Sequence, residues 1–182
     1  MLEHDLWSPG LLTVRTTRHR RDGHAAEVLR DGRRVAEVDD GGFVRATTGL
    51  VLAEAPLGPG TAHAAVLAVE VFGVPRGEVR ARSAADSWRR RRLDAELVVG
   101  GDVVALLRTT GRWGEEAVVV AGTAELATLA RFDHLRGVRR TVSAWDLEVA
   151  EIPDERLRAV TIAALLRLGT LRAAAAARRP RG

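Results

Sequence analysis

Along most of the chain, apolar and polar positions alternate in short runs, and the runs are separated by turn residues. Thr13–Thr17 predicts a first strand. His24–Arg30 and Arg33–Asp39 flank Asp31-Gly32, a strong signal for a two-residue hairpin turn. That register sets Val28 opposite Val35 and Arg30 opposite Arg33. Asp39–Gly42 reads as a second turn, followed by strands at Phe43–Thr48 and Leu50–Ala55 and a loop around Pro56, Pro59 and Gly60. Ala64–Phe72 is almost continuously apolar. Gly73, Pro75 and Gly77 punctuate the chain before Glu78–Arg82 alternates cleanly. Leu93–Val99 and Asp102–Arg108 flank Gly100-Gly101, which sets Leu97 opposite Val104 and Ala95 opposite Leu106, with Asp94 and Glu96 on the other face. Ala117–Ala121 and Ala124–Leu129 pair around Gly122-Thr123. In the long strand Thr141–Val149, Trp145, Leu147 and Val149 share one face.

The pattern then changes period. Asp154–Leu171 reads as one helix, with Asp154 as its N-cap and Glu155 at the positive end of its dipole. Ala173–Ala177 extends it. From Ala159 to Leu166, between Arg158 and Arg167, no face carries a charge. A helix that lies on a sheet keeps a polar side, whereas one that is apolar all round is surrounded. Ten to twelve short strands joined by hairpins, without helical crossovers, predict an antiparallel sandwich or barrel. The surrounded helix selects the barrel. The expected fold is therefore mainly β: an antiparallel barrel of about twelve strands enclosing a C-terminal hydrophobic helix. Residues 1–182 form a single domain, with 1–12 and 173–182 as flexible ends.

Composition narrows the function classes. The chain has 182 residues, 46% hydrophobic and 29% charged, enough for one domain with a sizeable core. It has no Cys, so disulfides, thiolate nucleophiles and Cys-ligated zinc are excluded. All 28 basic residues are Arg, with a net charge of only +4; the abundance of Ala, Arg, Gly and Val points to the codon bias of a GC-rich bacterium. The N-terminal residues do not resemble a secretory signal. The uncharged stretch of the helix would cover roughly 12 Å of a hydrocarbon core roughly 30 Å thick. A cytoplasmic protein, at most peripheral at the inner membrane, is expected.

Three stretches resemble the tubby-like superfamily, which includes phospholipid scramblases and the plant LURP-one-related proteins. They are the Arg30–Arg33 hairpin, the basic-then-alternating strand Arg89–Leu97, and the terminal unit Trp145–Val149 followed by Asp154–Leu165. The resemblance covers about residues 24–171. It implies a twelve-stranded barrel threaded by a short apolar helix, and a non-enzymatic scaffold whose relatives bind phosphoinositide headgroups or act at membranes. An acidic calcium-binding segment and a palmitoylated Cys cluster, features of scramblases, are not evident in this sequence.

Candidate chemistry is sparse. No Ser sits in a Gly-x-Ser-x-Gly elbow, and no phosphate loop or dinucleotide fingerprint is present. His19 and His24 lie near Asp22, but Arg20 and Arg21 between them oppose a cation. Asp39-Asp40 and Glu115-Glu116 are adjacent carboxylates of the kind found in solvated turns. No cofactor, metal or catalytic residue is expected. The sharpest binding candidates are Arg89, Arg90, Arg91 and Arg92, next to Trp88, with Arg139 and Arg140 in a second cluster beside Arg136. Guanidinium groups grip phosphate oxygens bidentately, and solvated edge strands carry such charges as well. Trp7, Trp113 and Trp145 read as packing residues. The expected partner is an anionic membrane surface or phospholipid headgroup. The alternatives are a nucleic-acid-binding module, disfavoured by the low net charge and few aromatics, and a small-molecule-binding barrel, which needs an empty lumen.

Overall fold

The computed structural model describes residues 5–16, 24–39, 44–45, 50–55, 65–82, 94–110, 116–135 and 141–177. Among them are twelve strands: β1 (Gly10–Thr16), β2 (His24–Arg30), β3 (Arg33–Asp39), β4 (Val44–Arg45), β5 (Leu50–Ala55), β6 (Ala65–Val71), β7 (Val74–Ala81), β8 (Asp94–Val99), β9 (Asp102–Thr110), β10 (Glu116–Ala121), β11 (Ala124–Leu135) and β12 (Thr141–Val149). One helix, α1 (Glu155–Ala177), follows them. The protein is thus mainly β, a single antiparallel sheet plus a C-terminal helix. In the sheet, each strand from β5 to β12 pairs with its chain neighbour, β12 pairs with β1, and the order then runs back through β2 and β3 to β4. β4 and β5, which end the sheet, lie beside one another. Among the described residues no ladder joins them.

Four hairpins share one construction. Their two-residue turns are Asp31-Gly32, Phe72-Gly73, Gly100-Gly101 and Gly122-Thr123, and seven of these eight residues have positive φ. That is the mirror-image turn whose twist matches paired strands. In each hairpin two residue pairs form next to the turn. One extra residue then bulges from the returning strand: Val35, Arg76, Val104 and Leu126. The bulges correct the expected registers. Val28 faces Ala36, not Val35, while Arg30 does face Arg33. Leu97 faces Ala105 and Ala95 faces Leu107, each one residue beyond the expected partner. A bulge bends its strand and sharpens the right-handed twist, so four of them at matching positions curl the sheet.

Pro75 and Gly77 mark this construction in β7, which begins at Val74 rather than at the expected Glu78. Pro75 is the second residue after the turn, and Gly77 follows the bulged Arg76. A Cβ on Gly77 would collide with the Val98 carbonyl oxygen and come within 2.8 Å of Val160 Cγ2. Glycine here lets β8 and α1 press against β7 together.

The sheet curls around α1. Asp154 Oδ1 accepts hydrogen bonds from the Arg156 and Leu157 backbone N–H groups at 2.8 and 3.1 Å, the expected N-cap. The helix continues to Ala177, so the expected extension is present. Every residue from Ala159 to Gly169 is buried. α1 touches β1, β2, β11 and β12 on one arm of the sheet and β6, β7 and β8 on the other. Burial extends past the uncharged Ala159–Leu166 stretch to Gly169 and includes Arg167, at 5% exposure. Residues 5–12 contribute to the core as well. Asp5–Trp7 form a 3-10 turn, and Leu6, Trp7 and Leu12 belong to the core. Arg30 holds this turn in place by donating from Nη1 and Nη2 to the carbonyls of Pro9 and Ser8, at 3.0 and 2.7 Å.

Candidate functional site

Strict alternation of strand direction sends every connection to one of two ends of the sheet. The four tight turns gather at the first end. Registers place the ends joined by the β1–β2, β3–β4, β5–β6, β7–β8, β9–β10 and β11–β12 connections at the other, while Gly10, Val149 and Leu50 lie with the turns. Arg15 pairs with Glu27 and Thr16 with Ala26 beside the start of β2; Thr110 pairs with Glu116; Leu135 pairs with Thr141. Where β7 passes to β8, the Arg82 N–H donates to the Asp94 carbonyl at 3.1 Å. Arg89, Arg90, Arg91, Arg92, Arg139 and Arg140 lie outside the described residues. Their flanks, Arg82 and Asp94 for the first cluster and Leu135 and Thr141 for the second, are all at this second end. β9 and β10 stand between the two pairs of flanking strands.

The described wall beneath this end is electrically balanced. Arg15 pairs with Glu27, Arg82 Nε with Glu96 Oε1 at 3.0 Å, and Arg80 Nη2 with Glu78 Oε2 at 2.8 Å. Thr110 Oγ1 lies 3.5 Å from Glu116 Oε2. Half-exposed pairs of this kind add little stability, typically under about 1 kcal/mol each. They consume the local positive charge, so the excess of arginine belongs to the connections rather than the strands.

The other candidates separate. His24 begins β2, and the rest of the His19–Asp22 group lies outside the described residues. Asp39 ends β3 and Glu116 opens β10, while Asp40 and Glu115 lie outside. Among the described residues no group of three or more His, Asp or Glu is placed to hold a metal ion. Trp7 and Trp145 are core residues, at 1% and 3% exposure; Trp88 and Trp113 lie outside the described set. Buried polar atoms with no hydrogen-bond partner among the described residues include the Trp7 indole N–H, the Thr161 hydroxyl and the Nε–H groups of Arg30, Arg76 and Arg158. Sequence reasoning named the Arg runs but not the geometric feature common to them, the end of the sheet where their flanks sit. Counting strand direction from turn to turn is the signal that finds it. No helix among the described residues is long and apolar enough to cross a membrane. No family model, curated protein or solved structure matches the chain.

Proposed function

We propose that the chain is a non-enzymatic, tubby-like barrel domain that binds anionic phospholipid headgroups at a membrane surface through Arg89, Arg90, Arg91, Arg92, Arg139 and Arg140. The observation that carries the barrel reading is the burial of α1 on all sides by both arms of the sheet. Closure is further supported by the sheet order, in which, among the described residues, the one missing ladder between chain neighbours falls between β4 and β5. These strands are adjacent, and four residues separate them in the chain. An enclosed helix also disfavours the small-molecule carrier, because the space a carrier needs is taken. The absence of a nucleophile elbow, phosphate loop and dinucleotide fingerprint from the sequence supports a binding role over catalysis.

The test is binding to phosphatidylserine-containing vesicles at low and high salt. Wild type should bind at low salt and lose most binding near 1 M, where the Debye length falls from about 10 Å at 0.1 M to about 3 Å. Changing Arg89–Arg92 to Ser should abolish most of the low-salt binding, since each Arg near an anionic surface contributes about 1 kcal/mol. Equal binding by both proteins, or indifference to salt, removes the proposed role. Preference for duplex DNA over vesicles would favour the nucleic-acid alternative.

A further inference from the structure

We infer that the β6–β7 and β8–β9 hairpin tips form a shallow apolar wedge that enters the interfacial layer of a lipid bilayer; this goes beyond the arginine reading above and does not depend on it. The large hydrophobic residues exposed among the described residues are Leu11, Phe72, Val74 and Val103, at 53, 66, 49 and 51%. All four stand at the turn end. Phe72 opens the β6–β7 turn, and Val74 closes that hairpin's last pair, with Val71. Val103 belongs to the second pair from the Gly100-Gly101 turn, with Val98. β7 pairs with β8, so the two tips are neighbours, about 10 Å apart. A Cβ on Gly73, Gly100 or Gly101 would meet nothing within 4 Å, so both tips project into open space.

The registers set the tips level. On β7 and β8, Val71–Val74 lies three pairs beyond Glu78–Val98, and Val99–Asp102 lies one pair beyond it, a shift of two over two strands. On β9 and β10, Val99–Asp102 lies three pairs beyond Glu96–Leu106, and Ala121–Ala124 one pair beyond Leu106–Val120, again a shift of two. One residue per strand, about 3.3 Å against a spacing of about 4.8 Å, is a tilt of about 35°, the inclination strands have in a barrel. On strands tilted so, the tips share one plane across the axis, with Phe72 foremost and Val74 and Val103 one and two steps behind.

Phe72 is strained as well as exposed. Its φ is 52, a conformation that a bulky L-residue adopts at a cost and that Gly or Asn takes readily. The first turn residue of the other three hairpins is Asp31, Gly100 or Gly122. With two-thirds of Phe72 in water, burial returns little to the fold, so stability does not account for the side chain. Strain kept where folding gains nothing points to function.

Area and shape identify the occupant. Phe72, Val74 and Val103 offer on the order of 300 Å² of apolar surface, whereas a stable protein interface takes about 800 Å² from each partner. The tips are convex and hold no pocket. A bilayer requires neither area nor matching shape, because each side chain gains by leaving water on its own. The rest of the turn end confines the contact to this sector. The β2–β3 tip exposes Asp31, Arg33 and Arg34, the β10–β11 tip Thr123 and Glu125, and the β12–α1 connection Glu151 and Asp154; residues 46–49 lie outside the described set. Leu11 pairs with Glu148, and β10, β11 and β12 separate it from β9. The wedge therefore enters tilted, with exposed Asp102 left at headgroup depth. These mixed charges give no preference for anionic lipid. The arginine clusters flank the opposite end, so the two contacts are separate events that lipid composition distinguishes.

The experiment measures partition onto vesicles of phosphatidylcholine alone, at 0.1 and 1 M salt. Wild type should bind, and no more weakly at 1 M, because apolar transfer is not screened. Phe72→Asn should weaken partition about tenfold at a melting temperature no lower than wild type, so the loss is not one of folding. Val74→Thr/Val103→Thr should weaken it roughly threefold and Leu11→Ser less than about twofold. The chain has no Cys, so Phe72→Cys and Leu11→Cys each carry a single environment-sensitive dye. Its emission should shift to the blue on vesicles at position 72 and stay unchanged at position 11. Wild type that ignores these vesicles, or leaves them at 1 M salt, overturns the wedge; binding to phosphatidylserine vesicles then leaves the arginine reading standing. Phe72→Asn that partitions like wild type, or a dye at position 72 that stays in water, overturns the wedge too. Leu11→Ser as damaging as Phe72→Asn overturns its confinement to β6–β9.

Discussion

The two ends of the sheet are built by different rules. At the turn end, connections are two residues long, glycine supplies positive φ, and a bulge follows at the same place in four hairpins. Asp154 caps the helix there, and Leu6 and Trp7 fill the space beside it. At the far end the connections are longer and share no turn chemistry; four of them contain arginine, and 40–43 and 56–64 do not. Stability is concentrated where backbone geometry is tightly specified. Headgroup-binding chemistry, on the functional proposal, is concentrated where it is not.

The comparison predicts large effects from the core and turn end and small ones from the far end. Leu165→Asp should be the most damaging substitution, because it buries an unpaired carboxylate in the enclosed helix, where Leu165 is fully buried. The expected loss is several kcal/mol, comparable with the whole stability of a domain, so chemical denaturation should find little folded protein. A variant that unfolds like wild type would mean the helix is peripheral. Next is Gly77→Ala. The added methyl meets backbone as well as Val160, and backbone cannot rotate aside, so a loss of about 2–4 kcal/mol is expected in a urea titration. Asp154→Ala should cost about 1 kcal/mol through loss of the cap, also read from the urea midpoint. Phe72→Asn should act in the opposite direction. Phe72 is 66% exposed at φ 52, so the change gives up little burial and places a residue tolerant of that conformation. A gain of about 0.5–1 kcal/mol in melting analysis is expected. A loss there would show that Phe72 packs on something the turn needs.

The same division governs what could be read from residues alone. Hairpin turns were legible because Asp-Gly and Gly-Gly name a backbone conformation. The bulges were not, since Val35 and Val104 are β-branched apolar residues that fit an uninterrupted strand equally well. Hence the Asp31-Gly32, Gly100-Gly101 and Gly122-Thr123 turns are legible while Phe72-Gly73 is not, and the registers beyond the first two miss by one after the bulge. The enclosed helix was legible from its missing polar face, whereas the burial of Arg167 was not, because a charged residue closing an uncharged run reads as solvated. Pro9 and Gly10 made residues 5–12 look like a loose lead-in, and only packing shows Leu6 and Trp7 in the core. Of the candidate site, the Arg runs were visible and their common end was not, since that depends on the direction of every preceding strand.

The pairing of β1 with β12 also sets the order in which the protein can assemble. The Thr13 hydroxyl donates to Asp146 at 3.0 Å across 133 residues, and the helix that fills the interior is encoded after every strand. During synthesis the strands emerge with their inner faces uncovered, and no partial chain holds the piece that buries them. Folding should therefore wait until α1 has emerged, be slow in the manner of high contact order, and be sensitive to aggregation until then.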